Sequence, residues 1–267
     1  MTVVNINDPA ALVRALRTGD TTVDFELGRG ALRTALAAVL PHVGDLMSLD
    51  RVRLQFDPDA GMVAIASNGS SVAIASVAVH STGDGQGPCV LDIEGRSARE
   101  VLAVLVPPRD KDARANWAAE AFRVTATDEE VTFAEESELL DGRSLTVPRL
   151  PHRDDEGRHT IYPDYPRRVA ELLEAPLAHD VDTALSPDLL SAWVKTARVL
   201  EFALEVSPRQ RDDGKPGMWA SNVGGRVVGG LVPRHPDEDP EDRVLPAWAH
   251  RLWRVRTATN DLSGGAS

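Results

Sequence analysis

Apolar and polar residues alternate along the chain in a pattern that predicts a unit of one strand, one helix and three strands. The unit begins at 22–27, where every second residue is apolar, and continues at 29–40, where apolar residues recur at helical spacing. Three further strands are predicted at 52–56, 62–67 and 72–79, separated by turns rich in Asp, Gly, Asn and Ser. This order of elements indicates an α+β protein with antiparallel sheets.

The same pattern recurs twice further along the chain. The second copy comprises a strand at 89–93, a helix at 96–105, and strands at 122–126, 131–134 and 145–147. The third copy comprises a strand at 179–184, a helix at 186–198, and strands at 200–206, 217–221 and 226–231. Recurrence of a supersecondary unit at this spacing predicts a duplicated architecture.

Changes in composition divide the chain into five predicted segments. They are an N-terminal helical extension at 1–21, a domain at 22–150, a linker at 151–165, a second, shortened domain at 166–235, and a tail at 236–267. The linker is rich in Pro, Asp, Arg and His, which is typical of a domain boundary. The tail starts with the acidic PDEDPED and continues into an amphipathic helix at 243–255 that contains Trp248 and Trp253.

Charge, cysteine and motif content limit the classes of function. The formal net charge of −12 argues against a protein that coats nucleic acid over its whole surface, but it permits one basic face. The single Cys89 excludes an intramolecular disulfide, and the seven histidines are scattered, so we expect no metal site and no cofactor. No Walker motif, GxSxG motif or carboxylate pair in an apolar setting is present, so we expect no enzyme.

The predicted location follows from the same composition. No stretch approaches the run of about 18–20 apolar residues that spans a bilayer. The first residues lack the basic and apolar regions of a signal peptide. We therefore expect a cytoplasmic protein that does not enter a membrane.

Three segments show a more specific pattern. The first is a helix with the form LxxALxxV, LRTALAAVL at 32–40, which leads into the strands of 51–79. The second is YPDYPRRV at 162–169, and the third is GKPGMWASNVGGRVVGGLVPRH at 214–235. In this order they resemble the bacterial DNA sliding clamp, the β subunit of DNA polymerase III. There the counterparts are the first helix with its hairpin strands, an F-P-D-Y-R-R-V stretch without the inserted Pro166, and a last strand that ends in V-M-P-M-R-L.

The resemblance implies a DNA-clamp-like fold, with repeated β-α-β-β-β units, sheets outside and helices on one face. It also implies a replication accessory protein that tethers a DNA polymerase to double-stranded DNA without reading sequence. A clamp has three domains of two units each, whereas this chain has three units, with VAELLEAPLAHD (169–180) where a further unit is expected. Three units per chain require four chains for the twelve helices of a ring. A homo-oligomer is therefore expected, and a dimer or an open body without a ring stays possible.

The helices of a clamp face the DNA, and each predicted helix here carries two basic residues at polar positions. The predicted DNA-facing residues are Arg29, Arg33, Arg96, Arg99, Lys195 and Arg198. Members of each pair are three or four residues apart and so share one side of their helix. Phosphate contacts of this kind give affinity without sequence specificity. The alternative is that they belong to ordinary solvated helix faces.

The resemblance also implies a groove that captures short hydrophobic peptides of polymerases and other clamp-binding proteins. Its predicted walls are Pro163, Tyr165 and Val169 on one side and Leu231, Val232 and Pro233 on the other. These residues are otherwise ordinary core and strand-end positions. A second hypothesis for the whole protein is therefore an interaction module that keeps the clamp fold, binds peptides or modulates another clamp, and does not encircle DNA.

Overall fold

A computed structural model describes residues 23–46, 48–57, 61–83, 87–135, 143–151, 165–178, 185–210 and 216–232. The chain divides into two compact units, Met1–Pro233 and Arg234–Ser267, and all described elements belong to the first. The predicted extension at 1–21, the strand at 179–184, the tail, and the groove residues Pro163 and Pro233 lie outside the described residues.

The described chain contains twelve strands and five α-helices. The strands are β1 (Val23–Gly28), β2 (Arg51–Asp57), β3 (Gly61–Ser67), β4 (Ser71–Val77), β5 (Val79–Thr82), β6 (Cys89–Glu94), β7 (Ala121–Ala126), β8 (Glu130–Glu135), β9 (Ser144–Pro148), β10 (Leu204–Gln210), β11 (Pro216–Val223) and β12 (Val227–Leu231). The helices are α1 (Arg29–Val39), α2 (Gly95–Val104), α3 (Lys111–Ala119), α4 (Tyr165–Glu174) and α5 (Pro187–Leu200), and a 3₁₀ turn at Leu40–His42 follows α1.

The strands form two antiparallel sheets in which the first two repeats exchange their first strands. The five-stranded sheet has the order β5-β1-β7-β8-β9, so β1 of the first repeat pairs with β7 of the second. The seven-stranded sheet has the order β10-β11-β12-β4-β3-β2-β6, so β6 of the second repeat pairs with β2 of the first. Neither repeat can therefore complete its sheet without the other.

The third repeat extends the larger sheet. Its last strand, β12, pairs with β4, with Val227 opposite Ala75 and Leu231 opposite Ser71. Strands on the two sides of the predicted linker at 151–165 therefore lie in one sheet. The division into domains at this linker stays a prediction.

One apolar core lies between the sheets and the helices α1, α2 and α5. Small residues of β3 and β4, such as Ala64 and Ala75, lie against α1 and let the helix approach the sheet closely. Trp193 of α5 is fully buried and lies against Gly229 of β12, where a Cβ would be only 2.8 Å from the ring. Burial of a large apolar side chain stabilises the fold by about 1.5–3 kcal/mol, so α5 contributes strongly to holding the third repeat in place.

Helix α4 covers the opposite face of the larger sheet. Val169 is buried there against Ile65, Val72 and Ile74, which form a second, smaller apolar cluster. The middle of the sheet is thus covered on both faces, which explains why β3 and β4 are almost continuously apolar rather than alternating. The sequence pattern of 169–180 gave no helix prediction for this segment.

Helix α3 is a further element that the sequence pattern did not predict. Asp110 caps it, because its carboxylate accepts hydrogen bonds from the backbone N–H groups of Asp112 and Ala113 at 3.1 and 2.9 Å. The helix has no fully buried residue and packs on α1, with Ala118 against Gly30. It is therefore an additional layer outside α1.

Candidate nucleic-acid interface

Arg29 is buried at the start of α1, and its charge is paired within the protein. Its guanidinium lies 2.7 Å from Glu120 and 3.6 Å from Glu135, its side chain is only 9% exposed, and the Trp117 ring lies beside it. A phosphate cannot approach this group without displacing both carboxylates. The prediction that Arg29 faces DNA is therefore wrong for this structure, because acidic residues from distant segments meet it.

Arg33 is half-buried and has a structural role. Its guanidinium donates hydrogen bonds to the carbonyls of Leu102 and Leu105 at 3.0 and 2.6 Å, at the C-terminal end of α2. A cation at this position satisfies free helix carbonyls and interacts favourably with the helix dipole. Arg33 thus joins the first repeat to the second, and it is not an open contact for DNA.

The outward side of α1 carries no charge. Gly30, Ala31, Thr34 and Ala37 occupy it, and every residue of α1 is buried or half-buried. Helices α3 and α5 flank α1 and cover part of this side. The first repeat therefore contributes no basic surface through its helix.

The two other predicted pairs are exposed. Arg96 and Arg99 lie on the outward side of α2, where Arg96 makes a loose exposed ion pair of 3.7 Å with Glu100. Lys195 and Arg198 lie on the outward side of α5, opposite the buried residues Trp193 and Thr196. Both helices pack on the same apolar core, and both pairs are exposed to solvent.

A buried polar network fixes α5, and with it Lys195 and Arg198. His42 contacts Ser71 Oγ at 2.8 Å through Nδ1 and Thr196 Oγ1 at 3.1 Å through Nε2. Trp193 donates to Ser71 Oγ at 3.1 Å, and Thr196 donates to the Ala38 carbonyl at 2.6 Å. The network joins the end of α1, the start of β4 and the middle of α5.

These bonds assign one protonation state to the histidine. Because the Thr196 proton goes to a carbonyl, Nε2 of His42 must donate to Thr196, and Nδ1 accepts the Ser71 hydroxyl proton. This arrangement accommodates the neutral ring, which is the form that burial favours. Burial lowers the pKa of His42 to about 3, since a charged ring would lose its hydration.

Two of the residues predicted to form a peptide groove, Val169 and Leu231, lie on opposite faces of the large sheet. Val169 is buried on the outer face of the large sheet, under α4, whereas Leu231 is buried in the main core on the helical side. Tyr165 lies at the edge of the outer cluster, and Val232 is exposed just after β12. Val169 and Leu231 therefore cannot line the same groove. A groove formed by the other predicted residues stays a prediction.

A cleft of about 470 Å³ opens beside α1. Residues of α1, β4 and β12, together with Ala118 of α3 and Leu200 of α5, line it. Thr34, Ser76 and Arg226 are its polar residues, and the rest of the lining is small or apolar. No motif in the sequence indicated this cleft, since its residues come from five separate elements.

The other buried charges are internally paired. Asp92 is fully buried and accepts hydrogen bonds from Arg53 at 2.8 Å and from Arg51 at 3.2 Å. Burial also raises the pKa of the Cys89 thiol to about 12, which leaves it unreactive near neutral pH.

Among the described residues, no group of three or more His, Cys, Asp or Glu can hold a metal ion. No helix within the described ranges is both long and apolar enough to cross a membrane.

Solved structures of bacterial sliding clamps share this fold. The β subunit of DNA polymerase III from Thermotoga maritima matches with a TM-score of 0.53 at 10% identity, over 84% of this chain and 68% of that one. The β sliding clamp of C. crescentus matches with a TM-score of 0.52 at 10% identity, over 85% and 69%. The sliding clamp of Bacillus subtilis matches with a TM-score of 0.51 at 10% identity, over 85% and 68%. No protein-family model matches the sequence, and neither does any curated protein.

The protein therefore has the fold of a bacterial DNA sliding clamp, which confirms the α+β, clamp-like prediction. The chain spans between 65 and 69% of the length of the clamps it matches. Identities of 8 to 12% show the fold and no more.

Proposed function

We propose that this protein is a clamp-like accessory protein of DNA replication that holds the backbone of double-stranded DNA without reading its sequence. The observation that carries the proposal is the outward position of two basic pairs, Arg96 with Arg99 and Lys195 with Arg198, on helices of a clamp fold. Such pairs contact phosphates and release counterions. The role requires no catalysis, and the partners are DNA, a polymerase, and further copies of the chain.

Charge-reversal variants test this proposal. Arg96→Glu with Arg99→Glu, and Lys195→Glu with Arg198→Glu, should each weaken binding to a labelled duplex. Each double variant should also lower the salt dependence by about two units of log–log slope, because each phosphate contact contributes about 0.9. The matched control is Arg167→Glu with Arg168→Glu, an equal charge change on α4, which covers the other face of the sheet.

Fluorescence anisotropy at several salt concentrations measures the effect. Weaker binding by the α2 and α5 variants and unchanged binding by the α4 control support the proposal. An equal loss in all three double variants would mean that only overall charge matters. Retention on closed circular DNA and release after linearisation then test whether the copies form a ring.

A specific observation also favours the second hypothesis, an interaction module with a clamp fold. Helix α1 has no charged outward side, and α3 and α5 flank it. One of the three repeats therefore lacks the basic helix surface that encirclement of DNA uses. A monomer by mass measurement in solution that ignores duplex DNA, but binds a partner protein, would support this hypothesis over the first.

A further inference from the structure

The cleft beside α1 has the size of a ligand site and an aromatic residue close to its rim. Its volume of about 470 Å³ falls within the range of roughly 300–1,000 Å³ that is typical of small-molecule pockets. Gly30, Ala35 and Ala75 are among the residues that line it, and their small side chains leave the space open. The hydroxyls of Thr34 and Ser76 supply groups that can hydrogen-bond a polar ligand.

Phe202 stands next to this cleft and is 46% exposed, although it is a large aromatic residue. The guanidinium of Arg226, which lines the cleft, lies 5.5 Å from the centre of its ring. The ring also packs on Gly224, where a Cβ would be only 2.6 Å from it. Phe202 therefore presents a fixed ring, with a cation beside it, to the solvent.

The end of α5 holds this ring in position. Glu201 adopts a left-handed conformation with φ of 57°, and the N–H of Phe202 donates to the Ala197 carbonyl at 3.3 Å. This is the hydrogen bond of a Schellman cap, which fixes the direction of the chain after a helix. The cap thus fixes the position of Phe202 relative to α5, the helix that carries Lys195 and Arg198.

Cations and an exposed ring together match the chemistry of single-stranded nucleic acid. Lys195, Arg198 and Arg226 are all exposed and can face phosphates, while the ring of Phe202 can stack on a base. Glu201 and Glu205 are exposed acidic residues near Phe202 in sequence, and Glu205 accepts a hydrogen bond from the side-chain amide of Asn222 at 3.2 Å. In a protein with a net charge of −12, an exposed aromatic ring beside Arg226, directly after a helix with Lys195 and Arg198 on its outward side, is suited to a polyanion.

We propose that this cleft binds unpaired nucleotides, such as the single strand that adjoins a duplex end. A base stacks on Phe202 beside Arg226, its neighbour enters the cleft towards Thr34 and Ser76, and Arg198 holds the connecting phosphate. The inference rests on the proposed function, because Lys195 and Arg198 also belong to the duplex surface. It adds that the protein distinguishes a junction from an uninterrupted duplex.

Three labelled DNA ligands test the inference with the full chain. They share one duplex and differ in the end, which is blunt, carries a single-stranded overhang of about ten nucleotides, or carries an abasic overhang of equal length. The wild-type protein should bind the overhang ligand on the order of tenfold more tightly than the blunt one, because stacking of one base on the ring adds to the affinity. The abasic overhang, which keeps the phosphates, should lose most of that preference.

Substitutions identify the residue responsible. Phe202→Ala should abolish the preference for the overhang and leave blunt-duplex affinity unchanged, while Phe202→Tyr, which keeps the ring, should retain it. Val199→Ala is the matched control, because Val199 is an exposed apolar residue of α5, three residues before Phe202. Melting temperatures of all variants show whether the fold is intact, and the Tyr variant keeps the test valid where the Ala variant is unstable.

The outcomes separate this inference from the proposed function. Equal affinity of the wild type for all three ligands overturns the inference and leaves duplex binding intact. A preference that survives in Phe202→Ala also overturns it. Binding of the overhang ligand without any binding of the blunt duplex supports the inference and contradicts the proposed duplex surface. No binding to any ligand overturns both.

Discussion

Acidification should weaken the fold through His42, which is fully buried and neutral at the junction of α1, β4 and α5. Its direct hydrogen-bond partners are hydroxyls, and neither Ser71 nor Thr196 can stabilise a positive ring as a carboxylate does. A second ring proton would also point Nδ1–H at the Ser71 oxygen, which now donates to that nitrogen. The perturbation is therefore a change in pH, and comparison with a His42 variant isolates the part that comes from this one group.

The magnitude follows from the difference in pKa between the two states. The folded value is about 3 and the unfolded value is the ordinary 6.5. Between these values the unfolded chain binds one more proton, so the free energy of unfolding rises with pH. This contribution is fully present above pH 6.5 and is lost as the pH falls towards 3. Each unit costs about 1.4 kcal/mol, which gives a loss of about 2.5 kcal/mol between pH 7 and pH 4.5.

Urea unfolding, followed by tryptophan fluorescence at several pH values, measures this loss. His42→Gln keeps an uncharged group that can donate and accept, so it should remove about 2.5 kcal/mol of the pH dependence that the wild type shows over this range. His80→Gln is the control, because His80 is exposed on β5 and lies outside the network. Carboxylates contribute equally to all three proteins and cancel in the comparison. Parallel pH profiles for the wild type and His42→Gln would refute the reasoning.

Two further substitutions test the packing and the pairing. Arg29→Met should lower the free energy of unfolding, measured by urea titration, by about 1–3 kcal/mol, since Glu120 and Glu135 lose their partner. The control is Arg96→Met, which removes an exposed ion pair and should change this free energy by less than about 0.5 kcal/mol. Gly229→Ala should cost about 3 kcal/mol or prevent folding, because the methyl group would meet the Trp193 ring and a carbonyl of β4. The control is Gly87→Ala, which should leave the melting temperature unchanged, because no neighbouring atom lies within 4 Å of the added Cβ.

Periodicity predicted the repeated elements because they depend on local alternation. The helix at 29–40 and the strands around it match α1, β2, β3 and β4 within a few residues. The exchange of β1 and β6 between repeats was not predicted, since strand pairing joins residues far apart in sequence. Helix α3 was missed although Pro107-Pro108 and the capping Asp110 precede it, because its weak contacts with α1 leave little amphipathic pattern.

The site was harder to predict than the fold, and the six basic residues show why. Spacing of three or four residues predicted that each pair lies on one side of a helix. Arg96 and Arg99, like Lys195 and Arg198, are exposed, and their contact with DNA stays a prediction. Spacing does not report what else approaches the helix. Arg29 meets Glu120 and Glu135, and Arg33 meets the end of α2, through contacts that only the tertiary fold creates.

The additional helices determine which surfaces of the clamp fold remain for partners. Helix α3 lies on α1 and α4 lies on the outer face of the large sheet, so two surfaces are covered within the chain itself. The outward sides of α2 and α5 stay open, and both carry basic pairs. Helix α5 belongs to the third repeat, and the contacts of His42 and Trp193 attach it to the first repeat. The position of Lys195 and Arg198 therefore depends on this joint between the first and third repeats. A variant that loosens this joint should therefore weaken DNA binding even when every basic residue is present.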